Sequence, residues 1–171
     1  RLRTLVPAGH PVSDLSLAGM SAGIVIDVTG KTDAPLMLAF EGDDADISAH
    51  PVVLVRLAKG ASLQLAEWHG ASVGLAAPLI GFDIGEDARL EQIKVQAEGS
   101  ATTHLSATGI ALAQGASIDG FALSVGGRLA RLETHVAFAG EGADCRLSAI
   151  YMGRGEQHHD ITTYMDHAVS N

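Results

Sequence analysis

The densest run of groups able to do chemistry is Arg154-Gly155-Glu156-Gln157-His158-His159-Asp160-Ile161-Thr162-Thr163-Tyr164-Met165-Asp166-His167. Imidazoles and carboxylates ligate metals or move protons, and which of these they can do depends on which side chains share a face. Read as a strand from Gln157 to His167, alternation puts His159, Ile161, Thr163, Met165 and His167 on one face. His158, Asp160, Thr162, Tyr164 and Asp166 take the other. His158 and Asp160 then reach one ion together and are the candidate metal ligands. His159 and His167 lie about 26 Å apart along an extended strand, too far to share an ion. The competing reading is that these groups hydrogen-bond within the fold or face a partner.

Other signals are weaker. Gly19-Met20-Ser21-Ala22-Gly23 and Gly70-Ala71-Ser72-Val73-Gly74 match the G-x-S-x-G pattern of serine hydrolases. That elbow needs a strand before the serine and a helix after it. A β-type run follows Ser21, and Gly74, Leu75 and Pro78 follow Ser72, so no catalytic residue is assigned. Gly30-Lys31-Thr32 resembles the end of a phosphate-binding loop, but Val25 stands where the first glycine is required. His69, His104, His135 and Trp68 occur singly in strand-like segments and read as structural residues.

The elements that must position these groups are short strands. Ile24-Val25-Ile26-Asp27-Val28 and Leu36-Met37-Leu38-Ala39-Phe40 flank the turn-rich Thr29 to Pro35 and read as two neighbouring strands. Repeated glycines from Leu54 onward leave little room for a long helix. Four related segments recur: Leu57 to Leu63, Ile84 to Leu90, Leu112 to Ile118 and Ala139 to Cys145. Their alanines, Ala61, Ala88, Ala116 and Ala143, are spaced by 27, 28 and 27 residues. Each period holds two strand-like runs, such as Ile118 to Val125 and Leu129 to Phe138, so about 27 residues make one flattened coil with two long sides. Such coils bury their apolar ladders only by stacking, which predicts an all-β solenoid. Periodicity does not separate parallel from antiparallel neighbours, and a barrel built from hairpins is the competing architecture. In the repeat frame Cys145 is equivalent to Leu63, Leu90 and Ile118, which predicts a buried, inert thiol.

Composition narrows the function. The 171 residues suit one domain, and 11 Lys+Arg against 20 Asp+Glu give a net charge of -9, so no basic stripe exists for nucleic acid. The charge-poor stretches Gly70 to Phe82 and Gly99 to Ile118 are too broken by polar residues, Gly and Pro to span a membrane. One cysteine forms no internal disulfide, which favours a reducing compartment. The chain opens on Arg1 with no charged-then-apolar leader, and reads as a segment of a longer protein.

Several blocks in order resemble the SufD family of the SUF iron-sulfur cluster assembly system. These are His50 to Leu57, Glu67-Trp68-His69, Phe121 to Arg131 with its Gly126-Gly127-Arg128-Leu129-Ala130-Arg131 core, Gly140 to Cys145, and Gln157-His158-His159-Asp160 to Asp166-His167-Ala168. The resemblance runs from Arg1 to Asn171. It implies a right-handed parallel β-helix core, one domain over 1–171 truncated at both ends relative to the family. It also implies pairing with a SufB-like paralogue, a SufC-like ATPase bound through a helical region absent here, and a cytoplasmic setting. The cluster is assembled by the full complex, so no cofactor is expected on this segment, and no catalytic turnover. The family's interface histidine and cysteine lie beyond anything matching Asn171, and Tyr164 stands where many relatives carry a basic residue. The alternative function is a carbohydrate-active β-helix enzyme of the polysaccharide lyase type. That would need clustered acidic ligands on one groove, whereas Asp43-Asp44, Glu86-Asp87 and Glu141 are spread over the corners.

Overall fold

The computed structural model describes residues 2–7 and 9–167. Arg1, Ala8 and residues 168–171, including Ala168 and Asn171 at the end of the family resemblance, lie outside the described residues. A single helical turn α1 (Leu2–Leu5) and a helix α2 (Pro11–Gly19) come first. The strands follow in chain order: β1 (Gly23–Val28), β2 (Leu36–Phe40), β3 (Ser48–Ala49), β4 (Val52–Leu57), β5 (Ser62–His69), β6 (Leu75–Ala76), β7 (Leu79–Ile84), β8 (Arg89–Gln96), β9 (Thr103–Leu112), β10 (Ser117–Ser124), β11 (Leu129–Phe138), β12 (Asp144–Tyr151) and β13 (His158–His167). The one element outside the all-β reading is the short helical segment at the start. Pro11 opens α2 with its φ already set for a helix, and His10 caps it by accepting the Ser13 amide on Nδ1 at 3.3 Å.

All strand pairings are parallel. One sheet runs β1-β4-β7-β9-β11-β13, with β3 and β6 beside it, and the other runs β12-β10-β8-β5-β2. The chain therefore climbs as a parallel β-solenoid of about 5 turns of roughly 28 residues. Parallel neighbours exclude the hairpin-built barrel. They also correct the reading of Ile24–Val28 and Leu36–Phe40 as neighbours: β1 pairs with β4 and β2 with β5, in opposite sheets. The turn-rich segment between them rounds a corner of the coil, and does not close a hairpin.

The recurring alanine marks one corner of each coil. The amides of Ala61, Ala88 and Ala116 donate to the carbonyls of Ala58, Gly85 and Ala113 at 3.0, 3.1 and 3.1 Å. The residue before each alanine takes a left-handed conformation, with φ of 68° at Gly60, 55° at Asp87, 65° at Gly115 and 68° at Gly142. Three glycines adopt it without strain, and Asp87 is the exception. These corners hold the strands that follow in strict register, so Leu63, Leu90, Ile118 and Cys145 form one ladder as the repeat frame predicts.

Between the sheets, the half of the interior next to these corners is apolar. Leu57, Ile84 and Leu112 face Leu63, Leu90 and Ile118, with Val55, Phe82 and Ile110 one step further in, all buried. Each such side chain contributes on the order of 1.5–3 kcal/mol. The segment carrying α1 and α2 lies on the outer face of the first sheet, where Val6 and Val12 pack on Val52, Leu79 and Ala107. Gly81 and Gly109 pair side by side beneath α1, and a Cβ on Gly109 would stand 2.5 Å from the Leu5 carbonyl oxygen.

Candidate functional site

The opposite half of the interior is polar. Inward positions at the ends of β5, β8 and β10 and the start of β9 carry Glu67, His69, Gln92, Lys94, Gln96, Ser124, His104, Ser106 and Thr108, and all are buried. Glu67 sits at the centre. Gln92 Nε2 donates to its Oε1, while Lys94 Nζ lies 3.4 Å and His69 Nε2 3.3 Å from its Oε2. Burial alone would raise this carboxyl, but Lys94, His69 and Gln92 outweigh it and hold it at about 2. Lys94 also donates to Thr108 Oγ1 at 3.1 Å.

A second carboxylate, Glu98, lies just past β8. His104 Nδ1 is 2.5 Å from its Oε1, and Gln96 Nε2 donates to its Oε2 at 2.6 Å. Burial works against ionising Glu98, yet the His104 bond and the nearby histidines keep its carboxyl below the usual range. Ser124 Oγ donates to Gln96 Oε1 at 2.6 Å and so accepts from His159 Nδ1 at 2.8 Å. The rings of His69 and His104 meet edge to face with centroids 5.2 Å apart, and Phe40 stacks on His69 at 4.6 Å. Burial, with Lys94 adding to it, holds His69 below the ordinary histidine range and keeps it neutral. His69, Glu98 and His104 thus offer donor atoms within 4.8 Å of one another.

A second trio with that property, His10, Glu133 and His135, lies on the outer face of the first sheet. His10 Nε2 is 2.6 Å from Glu133 Oε2, and its ring meets His135 edge-on at 4.6 Å. The Nδ1 atom of His10 already accepts the Ser13 amide and is not open to an ion, and the close approach of Nε2 to Glu133 ties α2 to the sheet.

The groups singled out from the sequence fall elsewhere. Ser21 and Ser72 are exposed, and each is followed by a strand, not a helix. Lys31 is exposed and makes an isolated bridge to Ser62. Along β13 the alternation holds: His159 reaches Ser124 inside, while Tyr164 stacks outside on His135 at 5.0 Å. His158 is exposed, and Asp160 lies 3.5 Å from Arg131 Nε and accepts from Thr162 at 3.3 Å. Neither belongs to the two trios. His167 stacks on Phe138 at 4.5 Å. Cys145 is half-buried, not fully buried as the repeat frame implies, because it belongs to the outermost strand of its sheet.

Sequence reading took His69 and His104 as isolated residues, yet the stacking of coils brings them together. The available signal was parity: His69 lies an even number of residues from the inward-facing Leu63 and Leu65. No helix among the described residues is long and apolar enough to cross a membrane.

Comparison with known proteins follows this architecture. The model of the SUF system FeS cluster assembly SufBD core domain matches residues 40–171. An iron-sulfur cluster assembly SufBD family protein of Mycobacterium leprae is 26% identical over 135 residues, 78% of this chain and 34% of the relative. The chain thus spans about a third of that relative's length. No solved structure matches it. A stacked parallel solenoid and a family match across most of its length agree that this chain belongs to the SufBD core-domain family and is part of the SUF iron-sulfur cluster assembly system.

Proposed function

We propose that this segment is the solenoid core of a SufD-type scaffold subunit. It pairs with a SufB-like paralogue and works beside a SufC-like ATPase, contacted through a region outside the segment, while a cluster is assembled. The observation that carries this reading is the stacked parallel solenoid, matched over residues 40–171 by the SufBD core domain. Burial, with Asp144 beside it, raises the Cys145 thiol to about 11. Accepting sulfur at a cysteine requires a thiolate, so this segment is suited to provide geometry and not to carry sulfur. The net charge of -9 fits protein partners better than nucleic acid. Residues 1–171 then form one domain of a longer cytoplasmic protein with no turnover of its own.

The test is co-purification of the full-length parent with its SufB-like and SufC-like partners. A stable complex without hydrolase or lyase turnover is expected. A parent that ignores both partners, or that cleaves polysaccharide at substrate-level rates, overturns the reading.

A further inference from the structure

His69 ends β5, while Glu98 and His104 flank the turn between β8 and β9, and their donor atoms converge within 4.8 Å inside the solenoid. The His69 ring is held at Nε2 by Glu67, a carboxylate outside the trio, at 3.3 Å. Such a partner fixes ring orientation and raises imidazole basicity, which strengthens metal–nitrogen bonds. The His104 side chain is fully enclosed, and its Nε2 has no hydrogen-bond partner. Protein interiors leave few polar atoms in that condition.

Two of the three face an opening. A cleft of about 400 Å³ at the junction of α2 and β1 is lined by Ser21, Ser48, His50, His69 and Glu98. On its wall the Nδ1 atom of His50 is a second enclosed nitrogen without a partner.

We propose that His69, Glu98 and His104 bind a borderline first-row divalent cation, Fe²⁺ or Zn²⁺, admitted through this cleft. Two imidazoles and one carboxylate suit such ions, whereas Mg²⁺ and Ca²⁺ take oxygen shells. The ion replaces the proton held between Glu98 and His104. Metal–donor bonds of about 2.1 Å require that N···O pair, now 2.5 Å, to open to about 3 Å. The ring proton shifts from Nδ1 to Nε2 of His104, so the imidazole stays neutral, and water from the cleft completes the coordination. The site needs no second chain, so it goes beyond the scaffold reading and stands or falls separately from it.

The test uses metal-free chain titrated with Co²⁺, followed by absorption, and with Zn²⁺ and anaerobic Fe²⁺, followed by calorimetry. The expected result is one ion per chain and a Co²⁺ spectrum of mixed nitrogen and oxygen ligation. Glu98→Gln keeps the side chain's shape and is expected to weaken binding at least about tenfold. His104→Ala is expected to remove binding, with circular dichroism confirming that the solenoid is intact. The double variant His158→Ala, Asp160→Ala is expected to bind like the parent. No stoichiometric binding by the parent overturns the proposal, as does binding that survives Glu98→Gln and His104→Ala or is lost in the His158, Asp160 variant.

Discussion

Replacing Glu67 by Gln is the sharpest test of the buried polar half of the solenoid. The change keeps the shape of the side chain and deletes one charge. It leaves Lys94, whose side chain is 7% exposed, donating to Thr108 Oγ1 at 3.1 Å but without its carboxylate partner. Removing one member of a buried ion pair costs about 3–5 kcal/mol, because the other charge stays desolvated. A domain of this size loses about 2–4 °C of melting temperature per kcal/mol, so a drop of about 6–20 °C is expected. Urea unfolding at pH 7 followed by circular dichroism reads the free energy directly. The pH dependence has a defined sign. The Glu67 carboxyl ordinarily titrates near 4.5 and is held at about 2 in the fold. Its contribution is therefore complete above pH 4.5 and fades as the pH falls toward 2, so the gap between parent and variant closes in that window. Adding Lys94→Met to Glu67→Gln replaces the charge with an apolar side chain of similar volume and is expected to recover most of the loss. A single variant within 1 kcal/mol of the parent would refute the reasoning, as would a double variant no more stable than the single one.

Two further outcomes follow from the corners and the edge of the stack. Asp87 holds a left-handed φ of 55° where the equivalent corners carry glycine, so Asp87→Gly is expected to raise stability by about 0.5–1 kcal/mol. Thermal unfolding of the variant checks this, and a lower midpoint would show that the aspartate side chain holds the corner. Cys145, with its thiol raised to about 11, is expected to react with a disulfide reagent at pH 8 far more slowly in the native chain than in urea. Equal rates in the two states would contradict its packing against the core.

Much of the architecture is legible in the sequence because it repeats. The alanines spaced by 27, 28 and 27 residues mark corners that the structure places one above the other, and the strand pairings carry the same offsets. The function class is legible too, since the blocks that resemble the SUF family fall largely within residues 40–171, the part that the family model matches. Less legible is which strands touch. β1 and β2 are adjacent along the chain but lie in opposite sheets, because in a solenoid each strand pairs with the one a full coil away.

The candidate site shows most clearly where sequence and tertiary structure divide. Around Leu90-Glu91-Gln92-Ile93-Lys94-Val95-Gln96 an isolated amphipathic strand would turn Ile93 and Val95 toward the core. The fold does the reverse: Ile93 is 55% exposed, while Gln92, Lys94 and Gln96 are buried. The corner at Ala88 and the ladder through Leu90 set this parity, and a slip of one residue would move every side chain of the strand to the other face. The sequence by itself determined the period, the corners, the stacked apolar ladder and the family. Only the stacking of coils decided that His69, Glu98 and His104 meet. Glu98 and His104 are six residues apart around one corner, whereas His69 comes from the coil before, and only the register between coils sets its distance from them.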